Sequence, residues 1–325
     1  MTENSASGLA TSKRRVVCIG ECMIELAHDG ANNLTMAFGG DVSNTAVYLA
    51  RLTKKLPIDT DFVTALGDDG YSDAMLDFWR DEGVGTRMVS RLKGRLPGLY
   101  TIQTDDLGER RFTYWRGQSA ARDLLREGRD QELIQACLDA DLVYLSGITL
   151  SILDDAQGEA LLSILKKVRA AGGKVAFDGN YRPSGWPDEE RAKIWFQKML
   201  EITDMALPTL DDERALFGDV DQESVAEKLH RLGADEVVVK MGKAGCFLSI
   251  DGHGTMIEAC PVERVIDSTA AGDSFNAGYL AARLTGVPPE EAAGSGHRLA
   301  SRVVRHRGAV IPLDAMQDLG MMAVE

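Results

Sequence analysis

Apolar residues recur at two periods along this chain, and the period separates strands from helices. Val16 to Ile19 is an uninterrupted apolar run ending at Gly20, the pattern of a buried strand. In Val42 to Leu52 the apolar residues 42, 46, 49 and 52 fall close to helical spacing. DFVTALGDDG then reads as a strand and a turn, and Tyr71 to Arg80 as a helix. Three short strand candidates follow, TRMVSRL, GLYTIQT and RRFTYWR. The second half alternates more regularly. DLVYLSG is a strand, Ala160 to Ala171 an amphipathic helix, and GGKVAFDGN the next strand. A helix around Arg191 to Ile202, the strand DMALP, a helix near Ser224 to Leu232 and the strand DEVVVK continue the series.

Strands alternating with helices predict an α/β fold: a central, mainly parallel sheet with helices on both faces. The short strands within about 21–38 and 86–116 do not fit that alternation and predict a small β-sheet lid on the main body. Residues 1–13 are polar and predict a disordered leader, with one domain over 14–325. No internal repeat breaks this plan.

Composition narrows the function classes. The 325 residues are 44% hydrophobic and 26% charged, which is ordinary for a globular protein. The net charge of −14 argues against nucleic acid and anionic membranes as partners, although a few converging Arg and Lys still suit a small anion. Glu21 interrupts the first apolar run, so no signal peptide or membrane span is expected. The five cysteines form no CxxC pair, and buried thiols in a reducing cytoplasm are expected. The five histidines have no zinc spacing; His297 lies in a helical stretch.

Two glycine-centred stretches carry candidate chemistry. In DSTAAGDSFNAGY, residues 267–279, small side chains precede a helix expected from Ser274 to Leu284. Helix-start N–H groups lack intrahelical partners, and Ala270, Ala271 and Gly272 let a phosphate approach them. Asp273 at the edge of that hole is placed to accept a hydroxyl proton, with a pKa lowered by the helix terminus. Its alternative role is a simple cap. The second stretch is Phe38-Gly39-Gly40-Asp41-Val42-Ser43-Asn44, where the glycines permit close contact with a polyol and Asn44 can bond hydroxyls. On a strand through Phe112 to Arg116, Tyr114 and Arg116 share a face, and an Arg there can clamp a carboxylate.

These two stretches, in this order and separation, resemble the signatures of the ribokinase-like sugar kinases, the phosphofructokinase-B family. The likeness covers residues 15–313, and no P-loop or dinucleotide fingerprint competes with it. GECMIEL, RLPGLY, FTYWR, DGNYRP and TLDDE resemble the branch acting on a 2-keto-3-deoxy sugar acid. The resemblance implies ATP- and Mg²⁺-dependent phosphorylation of 2-keto-3-deoxy-D-gluconate at O6. Fructokinase or ribokinase activity is the alternative, as is a non-catalytic binding regulator.

By the same resemblance, Asp273 is the base, with the backbone of Ala270, Ala271 and Gly272 around the transferred group. Gly39, Gly40, Asn44, Tyr100, Tyr114, Arg116 and Arg182 bind substrate. Asn180, Arg182, Lys240, Gly242, Lys243, Gly245, Ala271 and Gly272 meet ATP. Relatives carry N-x-x-E for Mg²⁺ held through water; here the stretch is Thr209-Leu210-Asp211-Asp212-Glu213, so the metal falls to Asp212 or Glu213. Asp267 and Thr269 are candidates for a monovalent cation, K⁺ in some relatives. A homo-oligomer, in the first instance a dimer, is expected from the exposed lid.

Overall fold

The computed structural model describes residues 13–28, 33–104, 110–126, 130–218 and 221–319. The expected leader, apart from Lys13, lies outside them. In chain order the strands are β1 (Arg14–Ile19), β2 (Met23–His28), β3 (Leu34–Gly39), β4 (Ile58–Leu66), β5 (Val89–Arg91), β6 (Gly98–Thr104), β7 (Arg110–Trp115), β8 (Leu142–Ser146), β9 (Lys174–Asp178), β10 (Met205–Ala206), β11 (Glu236–Lys240), β12 (Cys246–Ile250) and β13 (His253–Ile257). The helices are α1 (Asp41–Thr53), α2 (Gly70–Asp81), α3 (Asp130–Leu138), α4 (Gly147–Ile152), α5 (Asp155–Ala170), α6 (Glu189–Leu200), α7 (Leu210–Phe217), α8 (Gln222–Leu232), α9 (Ala271–Leu284) and α10 (Pro289–Val303).

Nine strands form the main sheet in the order β13-β12-β11-β10-β9-β8-β1-β4-β5. From β11 to β5 every pairing is parallel, and the antiparallel β12–β13 hairpin closes one edge. Both faces are covered, which β1 shows residue by residue. Val16 and Cys18 enter a core with α1, α2, α9 and α10, while Val17 and Ile19 enter a second core under α5, α6 and α8. A parallel strand buried on both sides reads as a continuous apolar run for this reason. Four of the five cysteines are buried. No helix among the described residues is long and apolar enough to cross a membrane.

The small sheet has the order β3-β2-β6-β7. Side chains alternate across it. One face carries Glu25, Gly39, Tyr100 and Tyr114, with Tyr100 paired to both Glu25 and Tyr114. The other carries Ile24, Phe38 and Leu99, which pack on the main core. One expectation is corrected: β5, in the stretch TRMVSRL, pairs with β4 and extends the main sheet instead of joining the small one. Three residues suffice to cover that edge, a decision made by β4 and not by local composition.

Candidate active site

The chain runs from β1 outward to β4 and β5, then returns to the other side of β1 with β8. That reversal between β1 and β8 is where open α/β sheets bind ligands, beyond the carboxyl ends of the strands. Two helices begin there. α1 starts directly after Gly40, and α9 after Ala270.

The glycine pair is demanded by close approaches. A Cβ on Gly39 would lie 2.3 Å from Tyr100 Oη, and one on Gly40 would lie 2.2 Å from the Glu21 carbonyl oxygen. Gly39 thus admits Tyr100, whose hydroxyl donates to the Glu25 carboxylate across the small sheet. Gly40 lets α1 begin against the backbone just after β1. Asn44, one turn into α1, is buried and donates its amide to Asp273 Oδ2 at 2.8 Å. The two glycine-centred stretches, more than 200 residues apart, meet through this bond.

α9 begins three residues earlier than the sequence pattern implied, so Asp273 lies in its first turn. Its N-cap, Ala270, sits in the left-handed region at φ 58. A non-glycine residue there is strained, and such strain persists where the surroundings enforce it. The Ala271 N–H donates to the Ser268 carbonyl at 3.2 Å, so this donor of the expected hole is already engaged. Gly272 and Asp273 remain as helix-start N–H groups without an intrahelical acceptor.

The Asp273 carboxyl is not lowered as expected at a helix N-terminus. It is pushed up to about 7, first by burial, then by Asp41; Asn44 opposes, Asp178 adds to the rise and Lys240 opposes it. Desolvation and like charges together outweigh the helix terminus. A carboxylate titrating near neutrality is a better proton acceptor than an ordinary aspartate.

Beneath Asp273 runs a buried polar network that sequence reading missed. Lys240 Nζ meets Asp178 Oδ2 at 2.9 Å and Asn276 Oδ1 at 3.1 Å. Asn276 donates to Asp178 Oδ2 and to Tyr144 Oη, and Thr45 Oγ1 lies 3.3 Å from that same hydroxyl. The network joins α1, β8, β9, β11 and α9. Lys240 therefore places a positive charge under the start of α9, where a Cβ on Gly272 would be 3.6 Å from its Nζ.

The lid residues are brought together in part. Tyr100 is buried and packs 5.8 Å, centroid to centroid, from the half-exposed Tyr114 ring. Arg116 follows β7 directly and, by alternation, belongs to the same face as Tyr114. Its guanidinium pairs with Glu21, a carboxylate only 2% exposed. Glu21 Oε1 and Arg116 Nε remain buried without partners.

At the other wall, Asn180 adopts φ 38 just past β9 and donates to Asp41 Oδ2 at 2.6 Å. Arg182 is more exposed and donates to Asp212 Oδ1 at 3.0 Å. Asp212 and Glu213 separate here. Burial raises the Asp212 carboxyl, with Arg182 opposing and Asp178 adding. Glu213 is buried and tied to Lys228 at 2.5 Å, which commits it to the α7–α8 contact. Of the two, Asp212 is the carboxylate not committed to a lysine; Asp178, whose Oδ1 is buried and unpartnered, is close enough to raise it, and no group of three or more metal-ligating side chains occurs among the described residues.

Gly242 and Gly245 both have positive φ in the turn between β11 and β12, and a Cβ on Gly245 would lie 2.1 Å from the Ile257 carbonyl oxygen. Lys243 between them is exposed. Asp267 accepts the N–H groups of Thr269 at 2.9 Å and Gly308 at 2.6 Å. It clamps the loop before α9 to the segment after α10, and this geometry adds nothing to a cation role for Asp267 and Thr269. His297 is buried against Phe275. Two further clefts, one lined by Thr60, Asp61 and Arg87 and the other by Asp141, Lys174 and Asp204, contain none of the expected site residues.

A buried carboxylate in the first turn of a helix, with a lysine beneath it and an aromatic sheet beside it, is an arrangement able to accept a hydroxyl proton and to stabilise charge on a phosphoryl group. The chain belongs to the pfkB family of carbohydrate kinases, whose family model matches residues 13–316. It is 48% identical over 306 residues to the 2-dehydro-3-deoxygluconokinase of Escherichia coli K12, covering 93% of this chain and 99% of that one. The fold matches the 2-dehydro-3-deoxygluconokinase of Thermotoga maritima with a TM-score of 0.82 at 21% identity, over 94% of this chain and 99% of that one. It also matches a ribokinase II of E. coli in complex with ATP and Mg²⁺, at a TM-score of 0.81 and 22% identity, over 94% and 96% of the two chains. The ribokinase-like fold and the kinase class expected from the sequence are thereby met.

Proposed function

We propose that this protein transfers the γ-phosphoryl group of ATP to O6 of 2-keto-3-deoxy-D-gluconate, giving 2-keto-3-deoxy-6-phosphogluconate and ADP. The observation that carries the reading is the placement of Asp273, buried in the first turn of α9, fixed there by Asn44 and with Lys240 behind that turn. As O6 bonds the γ-phosphorus, the bridging oxygen departs with ADP and the O6 proton passes to Asp273. The N–H groups of Gly272 and Asp273, with Lys240 behind them, stabilise charge on the transferring group. Mg²⁺ neutralises phosphate oxygens when bound, and Asp212 is the residue to hold it through water. Phosphorus and carbon NMR of the product test the reading. A new phosphate coupled to C6 is expected; no phosphorylation, or a phosphate on another oxygen, overturns it.

Arg116, Arg182, Tyr100 and Tyr114 orient the acid sugar, with Arg116 on its carboxylate. Arg116→Leu is expected to raise KM for the acid sugar by about 10- to 100-fold, the loss of a charged hydrogen bond, with neutral sugars little affected. Glu21 would be left buried and unpaired, so the variant should also melt lower, and Glu21→Gln should restore stability without restoring selectivity. An unchanged ratio of acid to neutral turnover rules out Arg116 as the clamp. A homodimer belongs to the same proposal. Leu34, Met36 and Trp115 are exposed on the small sheet and fit a second copy, and light scattering at assay concentration reads the mass.

A further inference from the structure

The amino ends of the central strands frame a cleft of about 450 Å³, at the opposite ends of those strands from the candidate active site. That volume suits a small ligand. Leu142 at the start of β8, Met205 at the start of β10, and Leu280 and Leu284 near the end of α9 give the cleft an apolar floor. Charged side chains form its rim, and the four carboxylates among them are all engaged. Asp141 accepts the Arg15 N–H at 2.8 Å, and Asp204 pairs with Arg169 at 3.1 Å. Asp235 pairs with Lys174 at 2.8 Å, and Glu236 with Arg283 at 2.9 Å. Arg14 differs from the other two lining cations. Among the described residues its guanidinium has no carboxylate partner and makes one hydrogen bond, to the Leu284 carbonyl in the last turn of α9.

A guanidinium fork with donors to spare matches a carboxylate. Set beside an apolar floor, it suits an aliphatic acid, with the chain on the leucines and the head on Arg14. The floor offers nothing to the hydroxyls of a sugar, and the rim carboxylates repel a phosphate dianion.

The cleft also backs onto the buried network beneath Asp273. α9 is clamped to β11 twice. At the cleft, Tyr279 donates to Glu236 and Arg283 pairs with it; one turn nearer Asp273, Asn276 meets Lys240. Leu142 and Tyr144 share the face of β8 that packs toward α9. Along these elements the cleft and the network stand only about 6 to 13 Å apart, from the rise per residue of a helix and a strand.

We infer that this cleft is an effector site for an aliphatic carboxylate held by Arg14, and that its occupation slows turnover. A carboxylate on Arg14 draws the guanidinium from the Leu284 carbonyl and so frees the end of the helix whose start carries Asp273. The residues proposed to bind sugar lie at the other ends of the strands, so the effect falls on kcat and not on KM.

Hexanoate and its uncharged amide, hexanamide, are the probes, used on wild type, Arg14→Gln and Arg14→Lys. Calorimetry without sugar or nucleotide reads binding, and steady-state kinetics over a range of sugar concentrations read the coupling. Hexanoate is expected to bind wild type with a Kd of about 1 mM or tighter, within reach of so small a ligand. At saturation it should lower kcat about fivefold or more, the usual size of coupling between two sites, with KM within about twofold. Hexanamide should do neither. Arg14→Gln should keep its unligated kcat and bind hexanoate about tenfold more weakly, the loss of a charged hydrogen bond. Arg14→Lys keeps the charge and should retain most of the response. A rise in KM alone would place hexanoate on Arg116 and overturn the inference. It is equally overturned by an undiminished response in Arg14→Gln, by no measurable binding, or by binding that leaves kcat unchanged. Binding is read without sugar and coupling with whichever sugar is turned over, so failure of the acid-sugar reading would show separately, as a preference for a neutral sugar.

Discussion

Asp273→Asn is expected to lower kcat by about 100- to 10,000-fold with KM within a few-fold of wild type, the range for loss of a positioned general base. Asn matches the shape of Asp and can still accept the amide of Asn44, so the site should stay assembled. Steady-state kinetics check the split, and near-wild-type turnover would reduce Asp273 to a residue of the first helical turn. In wild type, kcat/KM should fall about tenfold per pH unit below the Asp273 pKa of about 7. Asp178→Asn should move that acid limb downward, since it removes one negative neighbour and leaves Lys240 unopposed; Asp41 stays in place to hold part of the rise.

Asp273→Asn should also stabilise the protein at pH 8. The wild-type carboxyl is raised from its ordinary 3.8 to about 7, so the folded state disfavours its charged form. That penalty is absent below about pH 4, grows between pH 4 and 7, and is complete above 7. The asparagine side chain carries no charge at any of these values. The variant is therefore expected to melt above wild type at pH 8 and level with it at pH 4.

The second large effect falls on stability. Lys240 and Asp178 have side chains only 9% and 4% exposed, so their pair is not screened by solvent. Lys240→Met removes one partner and leaves Asp178 buried, with Oδ1 already unpartnered and Oδ2 held by Asn276 alone. The expected cost is about 3–5 kcal/mol, read by denaturant titration. Lys240→Met with Asp178→Asn should recover most of that stability, because no uncompensated charge remains, and should stay poorly active without the cation under α9. A cost below about 1 kcal/mol would mean that Asp178 reaches water and behaves as a surface charge.

The parts of this fold that sequence disclosed are those with local causes. Val16 to Ile19, Tyr71 to Arg80 and the later strand–helix pairs announce themselves by period, because burial and hydrogen bonding act within each element. Both glycine-centred stretches were visible for the same reason. The edge position of Val89–Arg91 was not, since strand order depends on a partner 25 residues away. The Tyr144–Asn276–Asp178–Lys240 network left no trace either. Its members lie on β8, α9, β9 and β11, and each alone reads as a residue of a strand or helix. The Asp273 pKa failed in sign by the same route: the helix terminus is local and legible, whereas Asp41 and Asp178 arrive only through folding. Glu21 shows the converse. It was read merely as a charge that breaks an apolar run, and in the fold it holds Arg116.

One comparison bears on the whole account: ADP release by the purified protein with ATP and Mg²⁺, measured on 2-keto-3-deoxygluconate, fructose and ribose under identical conditions. The account predicts strong selectivity for the acid sugar, as a carboxylate held by arginine and a hydroxyl delivered to Asp273 require. Equal or better turnover of fructose or ribose would contradict the acid-sugar assignment, and no ADP release on any of the three would contradict the catalytic role of Asp273.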